Sequence, residues 1–262
     1  MRSAGGPIQK RIDGHRQILG VPVFSGSLER VLRLGVEKLK EGDNRALMVV
    51  FTLTTEQVVM AQHDKPFCRS LMQSTLNVPD TVGVAWGARL PKRVPGVELA
   101  EKLVLEALKL GKKVFLVGGR PGVGQKAAES FLPRLQTKAK TLIAATTGAA
   151  DIAREQVTER EAVLGEIRAF KPMLVLVAYG APWQEEWLIK NAAALEQAGV
   201  RLAMVVGGAF DIWAGNIPRA PLKWRQIGLE WLWRLRHEPW RWRRQLRLVE
   251  FIVRVGGERV SL

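Results

Sequence analysis

The stretch KKVFLVGGRPGVGQKAA, residues Lys112–Ala128, decides the fold class of this 262-residue chain. Its apolar run Lys113–Val117 has the length and composition of a buried strand. A glycine-rich loop follows, and residues Gly122–Leu132 then carry apolar side chains at helical spacing. A strand, a glycine turn and a helix in this order form the repeating unit of a parallel α/β sheet.

The same unit recurs along the chain. Four further apolar runs have the length of strands: Ala46–Phe51, Thr141–Ala144, Met173–Ala178 and Leu202–Val206. Four further stretches have helical periodicity: Ser27–Lys40, Val97–Leu110, Ile152–Phe170 and Pro182–Leu195. We therefore predict an α/β fold, with a Rossmann-like parallel sheet flanked by helices over residues 1–220 and a C-terminal helical appendage over residues 221–262.

Composition and length agree with a folded core. Hydrophobic residues make up 47% of the chain, and the one cysteine, Cys68, excludes an intramolecular disulfide. Neither His63 nor His237 has a second candidate metal ligand at hand, so we expect no metal site. The first residues lack the apolar segment of a leader, and no run approaches the ~18 apolar residues of a spanning helix. We therefore expect a cytoplasmic protein that is neither exported nor integral to a membrane.

The glycine loop allows two interpretations. Gly118, Gly119 and Gly122 precede a helix, where backbone N–H groups can contact a phosphate or a sugar, but a tight turn needs the same glycines. A dinucleotide site is disfavoured, because the next predicted strand leads into Ala-Ala-Thr-Thr-Gly without an acidic residue. A Walker motif is excluded, because Gln125 and Lys126 stand where it needs lysine and then serine or threonine.

Two carboxylates stand out in the loops. Asp80 precedes a helix that we predict to begin near Val82, and it can serve either as the N-cap of that helix or as a general base facing a cleft. Asp211 follows the run Leu202–Val206 and a Gly-Gly pair, and it can be either a structural loop carboxylate or a ligand contact. These residues by themselves leave both pairs of alternatives open.

The C-terminal segment is strongly basic and rich in tryptophan. The chain has a formal net charge of +15, and eleven basic against four acidic residues lie between Arg219 and Arg259. Treated as a helix, Arg241–Arg254 has an apolar stripe that includes Trp242, Val249 and Val253, beside a stripe of arginines. This pattern favours an anionic membrane surface. Packing of the apolar stripe on the body of the protein is the alternative, and nucleic acid is disfavoured because no nucleic-acid motif accompanies the charge.

Several motifs together resemble the WecG/TagA/CpsF family of bacterial glycosyltransferases, over about residues 49–244. The motifs are VPDTVGVAWGARL (78–90), KRVPGVEL (92–99), VFLVGGRPGVGQKAA (114–128), GAPWQEEWLIKN (180–191), GGAFDIWAGNIPRAP (207–221) and GLEWLWRLRHEPWRWRR (228–244). The resemblance implies a metal-independent, cofactor-free inverting transferase. Such an enzyme moves N-acetylmannosamine from its UDP donor to a polyprenyl-diphosphate-linked N-acetylglucosamine, forming a β-1,4 linkage at the cytoplasmic face of the membrane.

The resemblance also implies roles for particular residues. Asp80 matches the proposed base of the family. Positions that line the donor and acceptor pocket are matched by Thr52, Thr54, Arg93, Gln184 and Asp211. Arginines that bind the diphosphate are matched in the tail by Arg234, Arg241 and Arg244.

The chain departs from the family pattern at a few of these positions. Thr54 stands where the family usually has asparagine, Thr81 follows Asp80 in place of glycine, and Thr146-Thr147 stands where a histidine is common. A different UDP-sugar is therefore an alternative donor. Another kind of nucleotide-dependent α/β enzyme and a non-catalytic, basic membrane-binding protein also remain open, as does a homo-oligomer formed through the tryptophan-rich helices.

Overall fold

A six-stranded parallel sheet is the centre of the fold in the computed structural model, which describes residues 8–40, 46–134, 141–237, 239 and 242–260. Its strands are β3 (Met48–Leu53), β4 (Leu76–Pro79), β5 (Val114–Gly118), β6 (Ile143–Thr146), β7 (Leu174–Ala178) and β8 (Leu202–Val205). Their order in the sheet is β4-β3-β8-β7-β5-β6, and every neighbouring pair is parallel. Two short strands before the sheet, β1 (His15–Ile18) and β2 (Val21–Phe24), form an antiparallel hairpin.

Twelve α-helices occur in the described part of the chain. Eight of them connect strands or precede the sheet: α1 (Leu28–Lys40), α2 (Thr55–His63), α3 (Lys65–Gln73), α4 (Val82–Gly87), α5 (Gly96–Lys109), α6 (Val123–Glu129), α7 (Val157–Phe170) and α8 (Trp183–Gln197). Four more follow the last strand: α9 (Ala209–Trp213), α10 (Leu222–Gln226), α11 (Glu230–His237) and α12 (Trp242–Val260). The α/β prediction is therefore confirmed.

Helices cover both faces of the sheet, because side chains alternate between the two faces along each strand. On β3, Val49 and Phe51 point into one apolar cluster, whereas Met48 and Val50 point into the other. The first cluster contains residues of α2, α3, α7, α8 and α12, and the second contains residues of α1, α5, α6 and α9. Both clusters are needed because a parallel sheet buries both of its faces.

The structure adds elements that the apolar runs did not predict. These are the β1–β2 hairpin, β4, α2 and α3. The predicted helix Ile152–Phe170 begins later, because residues Ile152–Arg154 form a separate 3-10 turn and α7 starts at Val157. β4 escaped prediction because its sequence, Leu-Asn-Val-Pro, contains a buried asparagine. The Nδ2 of Asn77 donates to the main-chain oxygens of Pro22 and Leu71, contacts that only the folded chain supplies.

The last helix lies against the body of the protein. Phe251 and Val255 of α12 are buried in the cluster that contains the β3 and α2 side chains. An ion pair from Arg247 Nη1 to Glu56 Oε1 at 3.2 Å and a hydrogen bond between His63 Nε2 and Glu250 Oε1 at 2.7 Å join the same helices. In the described residues, no helix has both the length and the apolar character needed to cross a bilayer.

Candidate active site

A cleft of about 1440 Å³ runs along the carboxyl edge of the central sheet. Residues at or just after the ends of all six strands line it, and α10 and α11 close its far side. The carboxyl edge is the usual place for a ligand in an open α/β sheet, because the strand-to-helix loops converge there. The cleft is therefore the candidate active site.

Most of the predicted site residues meet in this cleft. Those that line it are Thr52, Thr54, Asp80, Arg93, Gly119, Gln184 and Asp211. Gly118 and Gly122 belong to the loop that carries Gly119, but they are not lining residues. Arg234 is a residue of α11 and Arg244 a residue of α12, whereas Arg241 lies outside the described residues.

Asp80 is fixed at the start of α5. Its Oδ1 accepts a 2.6 Å hydrogen bond from the backbone N–H of Gly96, the first residue of that helix. The N-cap interpretation for α4 is wrong, because the hydroxyl of Thr81 caps that helix by accepting from the N–H of Val84. A helix N-terminus favours a negative group, so the carboxylate of Asp80 is held and oriented in a half-buried position at the cleft wall.

Close packing keeps α5 beside this carboxylate. A Cβ on Gly96 would lie 2.7 Å from Cγ2 of Thr52 and 3.4 Å from Oδ1 of Asp80. Contacts under 3.0 Å force neighbouring atoms to move, so only glycine allows this approach. Thr52 is buried at the end of β3, and its hydroxyl donates to the main-chain oxygen of Val205 at 3.4 Å.

Arg93 connects the Asp80 loop with the C-terminal helices. Its Nη1 donates to the main-chain oxygen of Asp80 at 3.1 Å, and its Nη2 donates to the main-chain oxygen of Arg225 at 2.8 Å. The same Nη2 lies 3.4 Å from Oε2 of Glu230. The guanidinium therefore spans the cleft wall from the loop after β4 to α10 and α11.

Asp211 pairs with an arginine of the glycine loop. Arg120 Nη2 lies 2.8 Å from Asp211 Oδ1, and Asn216 Nδ2 donates to the same oxygen at 3.1 Å. Arg120 was not among the predicted site residues, although its place in the GGRPG loop directly after a strand could have indicated it. Arg219 and Arg225 also line the cleft, and neither was among the predicted site residues. Convergent arginines at a water-accessible cleft suit a diphosphate.

The glycine loop forms the tight turn that was one of its two interpretations. A Cβ on Gly118 would lie 3.0 Å from a backbone atom of Ala178 on the neighbouring strand, and Gly122 begins α6 with a left-handed φ of 79°. Both positions therefore need glycine for the backbone path. Because Gly119 lines the cleft, a phosphate or sugar contact there stays a prediction.

Thr54 and Gln184 organise the cleft floor. The Oγ1 of Thr54 caps α2 by accepting from the N–H of Gln57 at 3.3 Å, and the N–H of Thr54 donates back to Oε1 of Gln57 at 2.8 Å. Gln184 is buried, and its Oε1 accepts from the N–H of Gly180 and of Gly207, both at 3.2 Å. One side chain thus holds the turns that follow two neighbouring strands, β7 and β8.

The described residues contain no group of three or more histidine, cysteine, aspartate or glutamate side chains arranged to hold a metal ion. Among the described residues, five carboxylates and four arginines line the cleft, and one of the carboxylates, that of Asp80, lies at the start of α5.

A parallel sheet with such a cleft at its carboxyl edge is the architecture of many α/β enzymes. The sequence model described as "Glycosyl transferase WecG/TagA/CpsF family" matches residues 16–262, and the chain belongs to this family of glycosyltransferases. The resemblance found in the motifs is thereby confirmed. The chain is also 29% identical over 225 residues to the N-acetylglucosaminyldiphosphoundecaprenol N-acetyl-beta-D-mannosaminyltransferase of Bacillus subtilis (strain 168), with 82% of each chain covered.

Proposed function

We propose that this glycosyltransferase moves N-acetylmannosamine from UDP-N-acetylmannosamine to N-acetylglucosamine carried on a polyprenyl (undecaprenyl) diphosphate. The product is a β-1,4-linked disaccharide on the lipid, a unit for surface polysaccharide synthesis. The observation that carries the proposal is the cleft, in which an anchored carboxylate and several arginines meet at the carboxyl edge of the sheet. The name of the Bacillus subtilis relative supports the choice of sugar and acceptor.

In the proposed reaction, Asp80 acts as the general base. The acceptor hydroxyl gives its proton to the Asp80 carboxylate while its oxygen forms a bond to the anomeric carbon of the donor sugar. The bond from that carbon to the UDP oxygen breaks, and UDP leaves with the electron pair, so the configuration at the carbon inverts. The hydrogen bond from Gly96 holds one carboxylate oxygen and so fixes the direction of the group.

Arginines stabilise the charge that develops on the departing diphosphate. Arg120, Arg219 and Arg225 line the cleft, and we propose that the tail arginines Arg234, Arg241 and Arg244 join them as diphosphate ligands. Arg120 pairs with Asp211, and Arg219 pairs with Glu101 at 2.9 Å. These carboxylates hold the guanidinium groups near the cleft until the diphosphate takes their place.

The assay that tests the function compares UDP-sugars with a short-chain prenyl-diphosphate N-acetylglucosamine as acceptor. We expect a disaccharide-lipid, detected by mass together with released UDP, from UDP-N-acetylmannosamine. UDP-N-acetylglucosamine is the matched control, because it differs only in the configuration at C2. If only UDP-N-acetylglucosamine yielded a product, the donor would be that sugar nucleotide and not UDP-N-acetylmannosamine. Stabilisation by UDP without any product would contradict this donor and acceptor pair, and no effect of UDP on the melting temperature would contradict a UDP-sugar transferase.

We further propose that the enzyme acts at the inner face of the cell membrane, where α12 contacts anionic lipid. Trp242, Val249 and Val253 lie along one side of α12 and are exposed, whereas Phe251 and Val255 on the other side are buried. The apolar stripe thus faces away from the body. This supports a membrane surface over packing on the body as its partner, because exposed apolar and cationic side chains on one helix suit an anionic interface.

Vesicle binding tests this membrane contact. We expect Val249→Ser combined with Val253→Ser to weaken binding to phosphatidylglycerol vesicles by about tenfold, because two apolar side chains no longer enter the interface. Co-sedimentation with vesicles of increasing phosphatidylglycerol content is the measurement, and Val157→Ser, an exposed valine on α7, is the control. Equal binding by both variants would contradict the proposal. Analytical ultracentrifugation would show whether a second copy covers the stripe instead.

A further inference from the structure

Glu185, in the first turn of α8, is a fully buried carboxyl group beside the cleft floor. Its Oε1 accepts hydrogen bonds from Nε2 of Gln57 at 2.7 Å and from Nε2 of Gln184 at 2.9 Å. Its Oε2 is buried without a hydrogen-bond partner in the described part of the structure. Burial of a carboxyl group that has one oxygen without a hydrogen-bond partner costs free energy, which points to a role for this side chain.

Gln57 and Gln184 connect the carboxyl group of Glu185 to loops that line the cleft. Because Glu185 accepts from both Nε2 atoms, the amide oxygens of Gln57 and Gln184 point the other way, toward backbone N–H groups. Gln57 Oε1 then accepts from the N–H of Thr54, and Gln184 Oε1 accepts from the N–H of Gly180 and of Gly207. Rotating either amide by 180° would place N–H groups against N–H groups, so Glu185 sets the orientation of both.

The connected loops follow three adjacent strands. Thr54 follows β3, Gly207 follows β8 and Gly180 follows β7, and these strands are neighbours in the order β3-β8-β7. Thr54, Gly180 and Gly207 all line the cleft, as do both glutamines, whereas Glu185 lies behind them. One carboxyl group therefore fixes the relative positions of three cleft-lining loops through two side chains.

We infer that Glu185 is a positioning residue, which as a neutral carboxylic acid orients Gln57 and Gln184 and thereby fixes the cleft floor for the donor and acceptor. The kinetic part of this inference rests on the proposed function, whereas the structural part does not. A neutral acid suits the site, because in the described residues Glu185 makes no ion pair or hydrogen bond with a cationic side chain.

The charged surroundings agree with a neutral acid. Burial is the largest influence on the pKa of Glu185 and raises it to about 8, although hydrogen bonds from Gln184, from its own backbone and from Gln57 act to lower it. The nearby carboxylate of Glu186 on the same helix acts in the same direction as burial. From α2, the group that faces Glu185 is the uncharged amide of Gln57, and the neighbouring Glu56 is paired with Arg247. Burial, followed by the charge of Asp64 just before α3, raises the pKa of Glu186.

Two substitutions separate a neutral acid from a buried charge. Glu185→Gln keeps an oxygen that accepts from both amides and removes the titration, so near neutral pH we expect hydrogen exchange at the three loops and transfer near the wild-type values. Glu185→Leu fills the space but removes the acceptor, so we expect faster exchange at Thr54, Gly180 and Gly207 and about a 10- to 100-fold lower kcat/KM. Glu196→Gln, in the last turn of the same helix and outside this network, is the matched control.

The pH dependence gives a second, independent readout. The folded-state pKa of Glu185 is raised above its unfolded value near 4.5, so the wild type loses stability as pH rises from about 4.5 to about 8. Glu185→Gln lacks this loss, and its melting temperature should therefore exceed that of the wild type increasingly over this range. The ratio of the two transfer rates should move in the variant's favour above pH 8.

The outcomes are distinguishable from failure of the proposed function. Hydrogen exchange and melting temperature need no transfer assay, so they decide the structural part even when the wild type yields no product. Exchange at the three loops that is unchanged in Glu185→Leu would overturn the inference. Equal damage in Glu185→Gln and Glu185→Leu would show that the negative charge is required, and this would overturn the neutral acid.

Discussion

Asp80→Asn is expected to reduce the rate of sugar transfer by about 10²- to 10⁴-fold, because the amide cannot accept the acceptor's proton. The amide oxygen can still accept the hydrogen bond from Gly96, so the start of α5 and the affinity for UDP should change little. The measurement is single-turnover transfer from UDP-N-acetylmannosamine, with UDP binding determined in parallel by calorimetry.

Asp64→Asn is the matched control for this variant. Asp64 is also a carboxylate that accepts from a backbone N–H at the start of a helix, here the N–H of Phe67 in α3, and it lies outside the cleft lining. Asparagine caps helices about as well as aspartate, so this variant should transfer normally. If Asp80→Asn kept wild-type activity, the general base would have to be another group. If the affinity for UDP and the transfer rate both fell in Asp80→Asn, the substitution would have distorted the site, and the lower rate would not identify Asp80 as the base.

Phe251→Ala is expected to destabilise the protein by about 3 to 5 kcal/mol, since it removes a fully buried ring from the core. The ring packs against α4, where a Cβ on Gly87 would lie 3.1 Å from its Cζ and one on Gly83 would lie 3.8 Å from its Cε1. The cavity left by alanine would separate α12 from the helix that begins directly after Asp80 and Thr81. Urea unfolding followed by circular dichroism measures the loss.

Val253→Ala, on the exposed side of the same helix, controls for helix propensity and should change the free energy of unfolding by no more than about 0.5 kcal/mol. A loss below about 1 kcal/mol for Phe251→Ala would contradict tight docking of α12 on the body. The free energies of unfolding of these two variants also test the predicted division between the core, residues 1–220, and the C-terminal appendage. A large loss would mean that the C-terminal appendage contributes to the same core as the sheet.

The fold class could be predicted because apolar runs and helical periodicity are local properties of the sequence. Lys113–Val117 and Met173–Ala178 gave β5 and β7 nearly to the residue. β4 could not be found in this way, because its buried Asn77 breaks the apolar pattern and is satisfied by groups 55 and 6 residues away. The hairpin was hidden for a similar reason, since its exposed Arg16 and Gln17 read as part of a polar segment.

The site was predicted as a set of residues, and the structure supplied their connections. Motifs pointed to Asp80, Arg93 and Gln184, but the carboxylate of Asp80 accepts from the N–H of Gly96, sixteen residues further on, and Arg93 donates to Arg225 across 132 residues. Glu185 follows Gln184 directly in the sequence, yet no pattern indicated that it is fully buried. The burial of one side chain depends on every element packed around it.

The sequence by itself determined the α/β class, the carboxyl-edge loops and the family, because strand length, glycine turns and motif spacing depend only on residues that are close together in the chain. The tertiary structure decided which N–H group holds Asp80, which carboxylates hold the cleft arginines, and which side of α12 faces outward. Those features depend on groups far apart in the chain, whose distances and exposure to water are set only when the helices pack on the sheet.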